Sequence, residues 1–239
     1  MRVLPSFVRD SYLKQFAAIV AIVLIVVAGA GVFFHGEVTE ELRHERQNEL
    51  RTVAELEADA IGEWLNRNSQ KTRLLSEFDS VRSGDQERID AALHHELEQF
   101  ESTRAIHYVD LDSRRIVEST ADDRVGTTVP ERTWARGSFE REDASSVAVT
   151  EGYRQDGTEV IAFLSRIEGT ERAIMLTANA QERAEQFRTP TESSFTQVVD
   201  SHGDVEFAQD EEAVLEQYQY GKEHIQKAQD GETGVMDMP

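Results

Sequence analysis

From Phe16 to Phe34 the chain reads FAAIVAIVLIVVAGAGVFF, nineteen residues without a charge. A helix rising 1.5 Å per residue over that length nearly spans a hydrocarbon core, so an apolar run of this size predicts a membrane anchor. The flanks give it a direction. Arg2, Arg9 and Lys14 against Asp10 leave the N-terminal side at +2, whereas the other side opens with Glu37, Glu40 and Glu41. Positive flanks stay in the cytoplasm. Residues 1–15 are therefore predicted inside, 16–34 as a transmembrane helix, and everything after it outside. A cleaved secretory signal is the competing reading, with Ala28-Gly29-Ala30 as its cleavage site. The run continues through Val32-Phe33-Phe34, which favours the anchor, and no second run of this kind follows.

The rest of the chain is strongly acidic. With 46 acidic and 25 basic residues the formal net charge is −21, and the +2 of the N-terminal flank leaves −23 for the residues after Phe34. Lysine occurs only at positions 14, 71, 222 and 227. Such an excess repels nucleic acid, whose binding needs clustered Lys and Arg. It also keeps a protein soluble in salt concentrated enough to screen its self-repulsion. With no cysteine there is no disulfide, thiolate nucleophile or cysteine metal site. Acid-rich, lysine-poor and cysteine-free, the composition resembles that of proteins from extremely halophilic archaea.

After the apolar run, residues 38–78 contain no proline and a single glycine, Gly62. Leu50, Val53, Ala60, Ile61, Trp64, Leu65, Leu75 and Phe78 recur mostly at three- and four-residue spacing, which predicts one long helix, a stalk over 35–85. A shorter helix is predicted over 86–102, with Ile89, Leu93, Leu97 and Phe100 inward. Its His94-His95-Glu96 lacks the second histidine four residues on, where Gln99 stands, so no zinc helix is predicted and no metal is assigned.

Then AIHYVDLDSRRIVEST, from Ala105, reads as strand, acidic turn and strand. Asp110 and Asp112 resemble the start of a calcium loop, but Arg114 occupies the third ligand position. A short helix is predicted near PERTWARGSF, with Pro130 in its first turn. A hairpin follows about Asp156-Gly157, from SSVAVTEGYRQ to TEVIAFLSRI, then a strand RAIMLTAN and a helix from Ala180 to Phe187. About ninety residues beyond the first hairpin, FTQVVDSHGDVEFAQD repeats its grammar. A helix is predicted from Glu211 to Gln229. Antiparallel strands with segregated helices give an α+β fold.

A long helix leaving a membrane segment, the hYVDLDSRRIVEST…VG hairpin, a Trp-bearing helix and a three-strand finish resemble an extracellular Cache sensor domain. The second hairpin extends this to the double form, with two PAS-like lobes hung on one helix. The resemblance implies a membrane-distal lobe over 86–190 and a partial membrane-proximal lobe over 191–239, whose last three strands, second membrane helix and signalling region would lie beyond this chain. With the halophilic composition, the chain is similar to the front of a haloarchaeal chemotaxis transducer. The sensor of a histidine kinase and a surface-anchored solute-binding protein are the alternatives. Homodimerisation through the long helix is implied by the same resemblance.

In amino-acid-binding members of this family an Arg-x-Trp-Tyr run holds the ligand carboxylate, while a strand tyrosine and a terminal aspartate hold the ammonium. Guanidinium forks suit carboxylates, and aromatic faces with a carboxylate suit a cation. Here the run is Arg132-Thr133-Trp134-Ala135, Tyr153 matches the strand tyrosine, and Asn179 stands where the aspartate would be. Arg136 and Tyr108 complete the candidate set. Without the aspartate, the ligand expected is a carboxylate or another small anion, with an amino acid as the alternative. Core packing for Trp134 and a surface ion pair for Arg132 are the competing roles. No nucleophile elbow, phosphate-cradling loop or dinucleotide fingerprint occurs, so neither enzyme activity nor a cofactor is predicted.

Overall fold

The computed structural model describes residues 22–27, 40–130, 147–189, 194–200, 202–210, 212–218 and 225. The chain divides into two compact units, one of Met1–Glu63 with Ala184–Pro239 and the other of Trp64–Arg183.

Helix α1 (Glu40–Glu77) forms where proline is absent and Ala, Leu, Glu, Gln and Arg dominate, residues that lose little freedom in a helix. Arg51–Glu55 at 3.1 Å and Arg73–Glu77 at 3.4 Å are four residues apart on its outer side. Both pairs are about half exposed, so each adds only a few tenths of a kcal/mol. The buried stripe of Trp64, Leu65, Asn68, Thr72 and Leu75 sets its orientation on the second unit. Phe78, in extended backbone, separates α1 from the single turn α2 (Asp79–Arg82). Asp85 then caps α3 (Gln86–Gln99) by accepting the Arg88 N–H at 3.3 Å, which satisfies one of the free donors of a helix start.

The sheet of the second unit contains β2 (Thr103–Asp110), β3 (Ile116–Ser119), β4 (Val147–Val149), β5 (Tyr153–Gln155), β6 (Thr158–Arg166) and β7 (Arg172–Asn179). Its order is β3-β2-β7-β6-β4, with β5 also on β6 and every pairing antiparallel. The β5–β6 turn has Asp156 at φ 52° and Gly157 at φ 80°, the two left-handed residues of a type I′ hairpin. In the β2–β3 turn Asp110 Oδ1 accepts from Ser113 N at 2.8 Å and Ser113 Oγ at 2.6 Å, while Oδ2 pairs with Arg172. Oδ1 thus closes the hairpin, while Oδ2 ties it to β7. The strand expected over SSVAVTEGYRQ is broken into β4 and β5, both of which pair with β6.

Side chains alternate across this sheet. Phe163 on β6 meets Trp64 edge-on, ring centroids 5.8 Å apart at 69°, and Ser165 Oγ lies 2.9 Å from Ser76 Oγ. That is the face against α1. On the other face Val109, Ile116, Ala148, Ala162, Leu164 and Met175 form a cluster with Val129 and Tyr153.

The first unit holds β1 (Ile22–Val27), β8 (Ser194–Val199) and β9 (Val205–Ala208), in the order β1-β8-β9. Phe187 packs on Phe207 with centroids 6.3 Å apart, and Glu57 accepts the Arg188 N–H at 3.2 Å. Two sequence expectations change here. Residues 22–27 fall within the run expected as a transmembrane helix, yet they form a strand antiparallel to β8, Ile22 opposite Val199. No helix among the described residues is long and apolar enough to cross a membrane. Ile-Val-Leu-Ile-Val-Val is rich in β-branched residues that fit a pleated surface, and the edge of β8 satisfies its backbone groups. The second change is at 212–218, expected as helix but found as turns bonded to the β8–β9 hairpin. Leu215 N donates to Val205 O at 2.8 Å and Tyr218 N to Gly203 O at 2.8 Å, so backbone pairing overrides local helix propensity.

Phe163 is fully buried against Trp64, whereas Leu74 is 54% exposed. Phe163→Ala is expected to cost about 3–5 kcal/mol of stability and Leu74→Ala about 0.5 kcal/mol or less, measured by urea unfolding in molar KCl.

Candidate functional site

The face of the second unit's sheet turned away from α1 resolves into three rows. Ser119, His107, Met175, Leu164 and Ala148 stand opposite one another across β3, β2, β7, β6 and β4. Two residues further along comes a row of small side chains, Ala105, Thr177 and Ala162, extended by Thr150, whose N–H donates to Ala162 O at 2.9 Å. The third row is Asn179, Val160 and Tyr153, paired in that order across β7, β6 and β5. Small residues between two rows of larger ones make a floor. His107 and Asn179, four strand residues apart, bound it at a separation of about 13 Å. The floor is buried, with Ala162 and Thr177 0% exposed and Ala105 1%.

The floor's own polar atoms are satisfied. Thr177 Oγ1 donates to Ala105 O at 3.1 Å, and Thr150 Oγ1 accepts the Ala162 N–H at 2.9 Å. The boundary residues differ. Among the described residues, the Tyr153 hydroxyl is buried without a hydrogen-bond partner. Such a group costs about 1–3 kcal/mol and calls for a partner from elsewhere. Burial pushes its pKa well above the ordinary tyrosine value, and the Arg124 guanidinium only partly offsets this. Asn179 Oδ1 accepts the Glu182 N–H at 3.1 Å and so starts helix α4 (Ala180–Ala184), which leaves the amide NH₂ as its available group. His107, 1% exposed, lies with Nδ1 2.7 Å from Ser119 Oγ, and Ser119 Oγ accepts the Ala121 N–H at 2.9 Å. Burial, aided by Arg124, brings the His107 pKa down to about 4. Arg124 sits on a single 3-10 turn (Asp122–Arg124) and reaches Asp156 of the β5–β6 hairpin at 2.5 Å.

Of the residues expected from sequence, Tyr153 and Asn179 come together in one row. Tyr108 stands opposite Ile174 on the other face of the sheet, where its hydroxyl bonds to Arg172; burial raises its pKa while Arg172 opposes the rise. Arg132, Trp134 and Arg136 lie outside the described residues, as does the short helix expected there. His107, Ser119 and Arg124 were missed. Alternation in AIHYVD places His107 and Tyr108 on opposite faces, so the strand pattern already made His107 a partner of whatever Tyr108 is not. A separate cleft of about 340 Å³ opens beside the β2–β3 hairpin, lined by Gln86, Asp110, Arg115, Val125, Gly126 and Arg172 among others. Among the described residues, the expected Tyr108, Tyr153 and Asn179 do not line it, and its Asp110 and Arg172 are already paired. The chemistry described above lies on the sheet face instead.

No family model matches the chain. It is 30% identical over 225 residues to the transducer protein Htr18 of Halobacterium salinarum, across 92% of this chain and 27% of that protein. Among solved structures, the ligand-binding domain of the Pseudomonas fluorescens chemoreceptor CtaA in complex with L-serine aligns with a TM-score of 0.55 at 15% identity, covering 73% of this chain and 77% of that one. The ligand-binding domain of the Pseudomonas aeruginosa amino-acid chemoreceptor PctC in complex with GABA aligns at 0.53 and 17%, covering 72% and 80%. The chain is a relative of the haloarchaeal transducers with the fold of a chemoreceptor sensor domain. It spans about a quarter of the length of Htr18, and 27% of a second transducer of the same organism, BasT.

A histidine whose folded pKa lies below its unfolded value binds its proton more readily in the unfolded chain. Its contribution is therefore complete above about pH 6.5 and is lost as pH falls toward 4, by up to about 1.4 kcal/mol per pH unit. His107→Gln is expected to remove that part of the slope between pH 6.5 and 5 in urea melts compared with the unsubstituted chain.

Proposed function

We propose that this chain is the extracellular small-molecule sensing region of a membrane chemoreceptor, and that the ligand lies on the sheet face of the second unit and carries a carboxylate or another small anionic group. The observation that carries the reading is the Tyr153 hydroxyl, buried and unpartnered among the described residues, standing in register with Asn179 at the edge of a buried floor of small residues. A protein leaves a buried hydroxyl unpaired at a cost, and a ligand oxygen relieves it. The neighbouring folds support the same chemistry, since CtaA and PctC are seen with L-serine and GABA. Arg132 and Trp134 join the set by resemblance, the guanidinium as the carboxylate's partner. A bound ligand signals only to the extent that it favours one arrangement of the domain over another.

Titration calorimetry of the full chain in molar KCl, with a panel of small carboxylates and amino acids, tests this directly. At least one compound is expected to bind, Tyr153→Phe to weaken it about 5–20-fold and Arg132→Ala by about tenfold or more. A panel in which nothing binds would remove the sensing assignment from this face.

Membrane attachment is proposed from the uncharged Phe16–Phe34 run and the similarity to transducers. Six residues of strand are too few to cross a bilayer, and an open sheet edge in hydrocarbon leaves backbone groups unsatisfied. A membrane-inserted form of the run would therefore be helical, in place of the strand seen against β8. Because the chain has no cysteine, single introduced thiols report sidedness. In proteoliposomes with the sensor outward, Ser113→Cys is expected to react with an impermeant maleimide at once, and Ser6→Cys only after the vesicles are opened. Immediate reaction at both positions would exclude an uncleaved spanning anchor.

A further inference from the structure

We propose that His107, at the far end of the floor from Tyr153 and Asn179, is a specificity-determining hydrogen-bond donor, and that the ligand is a carboxylate whose second polar group is an oxygen acceptor and not an ammonium. This rests on the sensing reading above and narrows it to hydroxy acids, keto acids and dicarboxylates.

The donor assignment takes the Ser119 hydroxyl, whose Oγ accepts the Ala121 N–H, to give its own proton to His107 Nδ1 at 2.7 Å. An imidazole that accepts at Nδ1 carries its proton on Nε2. Burial keeps the ring neutral at ordinary pH, so this end of the floor offers a fixed, uncharged N–H. At the other end Asn179 Oδ1 accepts the Glu182 N–H, and the NH₂ is the donor this side chain has left for a ligand. Tyr153 supplies a hydroxyl that can donate.

Among the described residues, an ammonium would find little here. Glu118 pairs with Tyr108, and Glu159 precedes Val160, so strand alternation sends both carboxylates to the opposite face. Asp156 is bound to Arg124, the cation felt by both His107 and Tyr153. A positive group buried beside that guanidinium, without a carboxylate of its own, would be both desolvated and repelled. An oxygen acceptor instead finds a neutral donor at whichever end of the floor it occupies.

The test is titration calorimetry of the full chain in molar KCl with matched pairs, L-malate against L-aspartate and L-lactate against L-alanine, with succinate added. The oxygen-bearing member of at least one pair is expected to bind tenfold or more tighter than its amino partner. His107→Phe should reduce that preferred binding tenfold or more. Asn179→Asp, which keeps an oxygen to cap α4, should move the preference tenfold or more toward the amino acid. If His107→Phe unfolds, the long-range proton–nitrogen spectrum of the unsubstituted chain decides the donor claim: an Nε2–H ring supports it and an Nδ1–H ring overturns it. Amino acids binding as tightly as their oxygen partners would overturn the inference and leave the sensing assignment standing. A panel in which nothing binds would overturn both.

Discussion

Everything on the candidate face depends on the register of β7 between β2 and β6. Met175 stands opposite His107 on one side and Leu164 on the other, and Asn179 is brought level with Val160 and, through it, Tyr153. A slip by one residue would send Met175, Thr177 and Asn179 to the helix side and bring Ile174, Leu176 and Ala178 to the site. Burial prevents it, because Ile174 and Leu176 are 0% exposed and could not face a polar row without losing their packing. Hydrophobic packing on one side of the sheet thus fixes the polar arrangement on the other.

The same economy shows in the charges. In a chain with 46 acidic residues, the buried carboxylates that the sheet retains have hydrogen bonds or cationic partners: Asp200 accepts from His202 N and Asp204 N, and Glu159 is paired with Arg154. The described polar groups that bound the floor are a neutral imidazole, an amide and a phenol. Acidity dominates the surface, while the described residues that bound the floor are neutral donors with the Arg124 guanidinium nearby. Such a division lets a strongly acidic protein present a local environment hospitable to an anion.

Much of this was legible in the sequence. Residues 38–78 read as one helix and α1 spans Glu40–Glu77; RAIMLTAN reads as a strand and is β7; Asp156-Gly157 reads as a tight turn and is one. These are local signals, strong over long periodic runs or fixed by turn chemistry. What failed to read were places where a distant backbone decides. Ile22–Val27 takes strand geometry against β8, and residues 212–218 give up helix for bonds to Val205 and Gly203. The site was half legible for the same reason. Tyr153 and Asn179 were found by resemblance, while His107 acquires its significance from Ser119 and Arg124, which only the fold brings near it.

Strand β6 is the single layer between the floor and α1. Its even-numbered residues, Val160, Ala162 and Leu164, look onto the site, and Phe163 and Ser165 touch Trp64 and Ser76 of the helix. The partition is one strand thick, with a close aromatic contact and a hydroxyl pair riveting it to a helical rod. Close-packed interiors have little give, so a strand displaced by what rests on one side of it must carry its neighbour on the other. Under the proposed reading, occupancy and mechanical displacement share a common wall, with no intervening layer in which a shift of that wall could be absorbed.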